Sequence, residues 1–260
     1  MIEIKDLTVR FGGVTPIDGM TVDFPGGTCG LIGPNGAGKT TFFNVLSGFV
    51  RPAAGTVHAD GEDLLAMADY RRARWGLRRT FQTEQAIERL SIYDNVAMVH
   101  EHSKLGRATR EEDVLGAIDF VGLGNPYVNV GVLGARERRL VEVARAVVGK
   151  PRVVLLDEPA AGLPDEETEH LSRVIRNIPE QIGALVILVD HDMSLVSACC
   201  EITAVLDFGK LIAAGPTADV LRDEQVVRAY LGTEDEDIHQ LDGDGHHQES
   251  DPPTPDAPRR

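Results

Sequence analysis

The stretch Gly33-Pro34-Asn35-Gly36-Ala37-Gly38-Lys39-Thr40-Thr41 restricts this chain to few folds. It satisfies G-x-x-x-x-G-K-[ST], the pattern of a phosphate-binding loop. That loop works only where a buried strand ends and a helix begins. Both flanks are present: Thr28-Cys29-Gly30-Leu31-Ile32 is an apolar strand candidate, and Thr40 to Leu46 reads as a helix. The glycines let the backbone curl so that successive N–H groups point inward, and the helix N-terminus adds partial positive charge. The spacing places Lys39 against the outer phosphates of a nucleotide and the Thr40 hydroxyl against Mg²⁺.

A second motif supports the first. Val153-Val154-Leu155-Leu156 is a buried strand followed at once by Asp157-Glu158-Pro159. Ligands of open α/β sheets bind beyond the carboxyl ends of the strands. Asp157 is placed to hold Mg²⁺, and Glu158 to act as general base on an attacking water. His191 ends the next apolar strand, Ala184 to Asp190, where an imidazole can meet a terminal phosphate or orient that water. Gln82, in Arg79-Thr80-Phe81-Gln82, falls at a change of texture in the chain. Its amide is a candidate contact to Mg²⁺ and the water. Phe11, beside the Gly12-Gly13 turn, is a candidate to stack on an adenine ring.

The remaining pattern supplies the frame. Residues 1–30 alternate like strands, with a turn at Pro25-Gly26-Gly27, and Thr56 to Ala59 is a further short strand. From about 84 to 145 strand signals give way to helical ones, at Ile92 to His102 and Arg110 to Val121. Near-continuous apolar strands then alternate with helices, the sign of a parallel sheet covered on both faces. Asp165 to Asn177 reads as a charged helix, Thr203 to Ala213 as a hairpin, and Asp219 to Leu231 as a last helix. Residues 233–260 carry nine acidic residues against Arg259 and Arg260 and end Pro-rich, so that stretch is expected to be a disordered tail. His239, His246 and His247 read there as solvated rather than metal-binding.

Composition excludes several classes. A net charge of −15 argues against nucleic acid as a partner, because phosphate neutralisation needs a basic surface. No apolar run approaches the ~18 residues of a membrane span. The N-terminus alternates like a strand rather than a signal peptide. Cys29, Cys199 and Cys200 do not form a disulfide pattern and are expected to be buried small hydrophobes in a reducing cytosol.

Gly33–Thr41, Gln82, Leu155-Leu156-Asp157-Glu158-Pro159 and His191, in this order around a helical insert, resemble the ATP-binding subunits of ABC transporters. The resemblance covers residues 1 to about 232. Phe11-Gly12-Gly13, Leu46-Ser47-Gly48-Phe49, Arg79 to Gln82, His191-Asp192-Met193 and Arg228-Ala229-Tyr230-Leu231-Gly232 are similar to the ATPases of branched-chain amino acid importers, some of which carry amides or urea. The resemblance implies an α/β fold of the ABC-type P-loop NTPase class, with a mostly parallel core sheet, an N-terminal antiparallel β subdomain and a helical insert. It implies ATP and Mg²⁺ as cofactors and ATP hydrolysis coupled to transport. The implied partners are a second ATPase subunit, membrane permease subunits reached through a groove near Gln85–Tyr93, and, indirectly, a solute-binding protein. The implied place is the inner face of the cell membrane, peripherally from the cytoplasm.

In that family each ATP also meets the other subunit's signature loop, usually Leu-Ser-Gly-Gly-Gln. Here the corresponding residues are Leu133-Gly134-Ala135-Arg136. The serine hydroxyl is missing and an arginine replaces a glycine. Ala161-Gly162-Leu163-Pro164-Asp165 likewise places Pro164 where an acid or amide is usual. A heterodimer with a second ATPase of normal signature is therefore expected. The rival expectation is a regulatory or structural ATP-binding module with little turnover.

Overall fold

The computed structural model describes residues 1–101 and 107–230. The chain opens with two antiparallel strands, β1 (Ile2–Phe11) and β2 (Val14–Phe24), and then β3 (Thr28–Ile32) leads into helix α1 (Lys39–Ser47). Gly48, with φ of +87°, ends that helix by donating to the carbonyls of Asn44 and Val45. β4 (Ala54–Ala59), β5 (Glu62–Asp63), α2 (Asp69–Trp75) and β6 (Leu77–Arg79) follow. Next come α3 (Ile92–His100), α4 (Arg110–Phe120) and α5 (Ala135–Val147). The α/β pattern resumes with β7 (Val153–Asp157), α6 (Asp165–Asn177), β8 (Leu185–Val189), α7 (Met193–Cys199), β9 (Ile202–Asp207), β10 (Lys210–Pro216) and α8 (Thr217–Val220).

Among the described residues these strands make two sheets. One is antiparallel, in the order β2-β1-β4-β5; the other runs β10-β9-β3-β8-β7-β6 and is parallel except for its β10 edge. The unbroken apolar character of β7 and β8 has a geometric cause. Val153 and Leu155, with Leu185, Ile187 and Val189, face a core shared with α1 and the antiparallel sheet. Val154 and Leu156, with Val186 and Leu188, face a second core built against α3 to α7. Both faces are covered, so successive residues are apolar on both.

The expected antiparallel subdomain, mostly parallel sheet and helical insert are all present. Asp165–Asn177 matches its expected bounds, and β8 is one residue shorter than read at each end. The expected helix from Asp219 onward is instead divided: α8 closes at Val220, and residues 224–230 form a separate helical stretch. Asp223 causes the break, since its carboxylate accepts the Gln225 and Val226 N–H groups and restarts the helix as an N-cap. His102, Leu231 and the acidic tail from 233, with its three histidines, lie outside the described residues.

Candidate nucleotide site

Two glycines of the 33–41 loop are required sterically. A Cβ on Gly33 (φ +150°) would lie 2.0 Å from the Leu206 carbonyl oxygen, and one on Gly38 (φ +111°) 2.2 Å from that of Pro16. Gly36, with φ of +79°, has open space beside it and is required by conformation alone. The Lys39 side chain folds along the loop, its Nζ donating to the carbonyl oxygens of Gly33 at 2.6 Å and Pro34 at 2.9 Å. Burial lowers the pKa of this ammonium, and the nearby Glu158 and Asp157 carboxylates oppose that shift.

Asn35 through Thr41 line a cavity of about 170 Å³, closed by Pro16, Gln82 and Glu158. Residues more than a hundred positions apart are thus brought to one place at the carboxyl ends of β3, β6 and β7. Glu158 is held in an unusual backbone conformation. Its φ is +47°, and its N–H donates to the Val189 carbonyl at 2.8 Å, which ties the turn after β7 to the end of β8. A non-glycine residue kept in this region costs of order 1–3 kcal/mol, and such strain concentrates at functional sites.

Asp157 is 2% exposed. Its Oδ2 accepts Arg79 Nη2 at 2.8 Å, and its N–H donates to Thr80 Oγ1 at 3.0 Å. Burial raises its pKa, against the opposing pull of Arg79. Oδ1 is buried without a hydrogen-bond partner among the described residues. A buried carboxylate with one oxygen held and one unpaired, beside a cradle of backbone N–H groups, fits a divalent cation carried on phosphate oxygens. Thr40 and Gln82 sit on the wall of the cavity of about 170 Å³, and Asp157 lies behind that wall rather than on it.

Gly33, Pro34 and Asp157 adjoin the cavity without lining it, and Phe11 and His191 stand apart from it. Phe11 ends β1 half exposed and does not line the cavity. His191 follows β8 with its side chain 68% exposed, and its ring Nδ1 lies 3.7 Å from Asp190 Oδ1. It too lies outside the cavity wall. The buried Asp190 carboxylate accepts the N–H groups of His191 and Asp192, shaping the turn that carries the histidine. Arg79, Thr80 and Asp190 were not singled out from the sequence. Arg79 and Thr80 entered there only as part of the Arg79–Gln82 motif, with no role of their own.

The 133–136 segment begins α5 at a distance in sequence from every cavity residue. Gly134 is the N-cap, with φ of −70° and ψ of 169°, and its N–H donates to Glu137 Oε2 at 3.0 Å. A Cβ at Gly134 would meet only that oxygen, at 3.8 Å. Arg136 is exposed. Pro164 is the N-cap residue of α6, where its missing N–H costs nothing. The thiols of Cys29, Cys199 and Cys200 are buried and free, with burial pushing the first two up to about 11 and about 12 and the third higher still. They are the buried small hydrophobes expected, and protonated thiols of this kind are inert.

Residues 18–161 match the ABC transporter family, and residues 210–236 match the branched-chain amino acid ATP-binding cassette transporter family. The chain is 33% identical over 251 residues to the high-affinity branched-chain amino acid transport ATP-binding protein BraF of Pseudomonas aeruginosa, covering 89% of this chain and 98% of that one. It is 37% identical over 205 residues to the lipopolysaccharide export system ATP-binding protein LptB of Haemophilus influenzae, covering 78% and 85%. The fold matches the ADP conformation of MJ1267, an ATP-binding cassette of an ABC transporter, with a TM-score of 0.80 at 24% identity, over 89% of this chain and 98% of that one.

Proposed function

This chain belongs to the ABC transporter family as an ATP-hydrolysing cassette, and from that premise we propose that it powers an importer for branched-chain amino acids or related small polar solutes such as amides or urea, paired with a second ATPase subunit. The carrying observation is the cavity in which Asn35–Thr41, Gln82 and Glu158 face one another. The match of residues 210–236 to the branched-chain family supports the substrate class.

ATP supplies the phosphoryl group to be transferred, and Mg²⁺ neutralises charge developing on its oxygens. The N–H groups of the 33–41 loop and Lys39 bind and orient the phosphates. Thr40, Gln82 and the free Oδ1 of Asp157 are the protein donors toward the metal. Glu158 takes the proton of the attacking water, and its strained, tied backbone fixes where that carboxylate points. His191 acts from the end of β8, and Phe11 meets the adenine.

No helix among the described residues is long and apolar enough to cross a membrane. Similarity to branched-chain amino acid transport ATP-binding proteins supports a peripheral position on the inner membrane face, against permease subunits fed by a solute-binding protein. A groove of about 550 Å³ with mainly apolar walls supports that docking; Phe49, Tyr70, Phe81, Met98 and Val99 line it. It includes none of the residues 85–93. The weak signature supports the pairing, since Gly134 offers no hydroxyl and its N–H is already engaged by Glu137.

Reconstitution with the cognate permease and second ATPase tests the proposal. ATP-dependent uptake of a labelled branched-chain amino acid or amide into proteoliposomes, lost in Glu158→Gln, is expected. Uptake that persists without this chain overturns it.

A further inference from the structure

Arg79 lies between the nucleotide cavity and the apolar groove. Its side chain is 6% exposed. Nη2 donates to Asp157 Oδ2 at 2.8 Å and Nη1 to Asn44 Oδ1 at 2.7 Å. The guanidinium is also sandwiched: its centre lies 5.4 Å from the Phe43 ring and 5.0 Å from the Phe81 ring. Phe43 is fully buried in the core, so that side of the sandwich is fixed. Phe81 is the side open to the groove: it is only partly buried and stacks on Phe49 at 6.3 Å, and both rings line the groove. Phe49 is 59% exposed.

We infer that Arg79 is a positioning residue for the Asp157 carboxylate, and that the Phe49–Phe81 pair on the groove wall sets its grip. The inference rests on the reading of Asp157 as a metal ligand. A carboxylate with one oxygen held by a guanidinium can turn only about that contact, which leaves Oδ1 aimed at one place. A planar guanidinium suits this role, because its fork serves Asn44 and Asp157 at once while its faces stack on aromatic rings; a lysine cannot do both. Asp157 is also fixed through its backbone, by Thr80. Arg79 and Thr80 therefore hold the carboxylate from the same short strand end that continues into Phe81 and Gln82. Whatever fills the groove and shifts Phe81 changes the cation–π contact on Arg79, and so the place offered to the metal. The groove would then be read at the metal site through two residues, without motion of the phosphate loop.

The measurement is the affinity of the full chain for Mn²⁺ in the presence of ADP, by electron paramagnetic resonance. Calorimetry of ADP in EDTA serves as a control on the cavity. Phe81→Leu, which removes a ring that does not line the nucleotide cavity, weakens Mn²⁺ binding roughly three- to thirtyfold, as expected of coupled neighbours. Metal-free ADP affinity stays unchanged. Arg79→Lys weakens Mn²⁺ in the same sense, and Phe81→Leu then adds nothing. In a Gln82→Ala background the effect of Phe81→Leu persists. Unchanged or tighter Mn²⁺ binding in Arg79→Lys overturns the inference, as does a Phe81→Leu effect that survives in Arg79→Lys or vanishes with Gln82→Ala. Asp157→Asn separates the premise: Mn²⁺ affinity retained there refutes the metal role of Asp157 itself.

Discussion

Repairing the degenerate loop at the start of α5 should raise turnover at one ATP site only. The double change is Gly134→Ser with Arg136→Gly. Its folding cost follows from the structure. Gly134 is an N-cap in extended conformation where a Cβ meets only Glu137 Oε2, at an ordinary 3.8 Å, so a serine fits and contributes a few tenths of a kcal/mol as a capping side chain. Glycine at position 136, in the first turn of the helix, costs at most about 1 kcal/mol, which lowers Tm by roughly 2–4 °C in a domain of this size. Against that, a restored hydroxyl donor to a terminal phosphate is worth about 2.7–4 kcal/mol of barrier, or ~10²–10³ in rate. The assay is single-turnover hydrolysis in the complex with the second ATPase, with Glu158→Gln in this chain so that only the partner's ATP, facing α5, can react. The expected outcome is a rise of ~10² or more. The same rate in repaired and unrepaired complexes would show that the missing serine does not limit that site.

Lys39→Ala should weaken ATP binding, measured by calorimetry, because charge-assisted contacts to phosphate are the strong ones; unchanged affinity would refute the phosphate-loop assignment. Gly38→Ala should fail to accumulate as folded protein or lose several degrees of Tm, since its Cβ would sit 2.2 Å from the Pro16 carbonyl oxygen. Wild-type Tm would show that the loop relaxes freely. Because burial keeps Cys29 and Cys199 thiols protonated up to about 11 and about 12, native protein should resist thiol reagents through neutral and mildly alkaline pH. Reaction should become complete only in denaturant, and rapid native labelling would place a thiol at the surface.

The residues that line the cavity were easier to read in the sequence than the short elements around them. Asn35–Thr41, Gln82 and Glu158 could be read together because phosphate chemistry calls for those residue types at the ends of apolar strands, and they do line one cavity. Strand β6 and helix α2 were not legible. Both are short, and buried arginines interrupt their apolar pattern: Arg72 spends its charge on the Val45 and Leu46 carbonyls at the end of α1, and Arg78 on that of Ala73. The role of Arg79 was hidden for the same reason, because its partner Asp157 lies 78 positions away and nothing local announces the pair. The break after α8 depends on Asp223 acting as a cap, which competes with helical continuation by a small margin that periodicity does not register. His191 and Phe11 show the reverse case, strong motif positions whose side chains lie outside the cavity wall.

The central claim is that Glu158 performs the chemistry on an ATP held by the 33–41 loop. It is tested most directly by retention of radiolabelled ATP in Glu158→Gln beside wild type, in the complex with the second ATPase, after rapid gel filtration in Mg²⁺. The account predicts that Glu158→Gln binds ATP as tightly as wild type and keeps it unhydrolysed in a closed dimer, while wild type releases ADP. Hydrolysis at the wild-type rate by Glu158→Gln on this chain's own loop would contradict it.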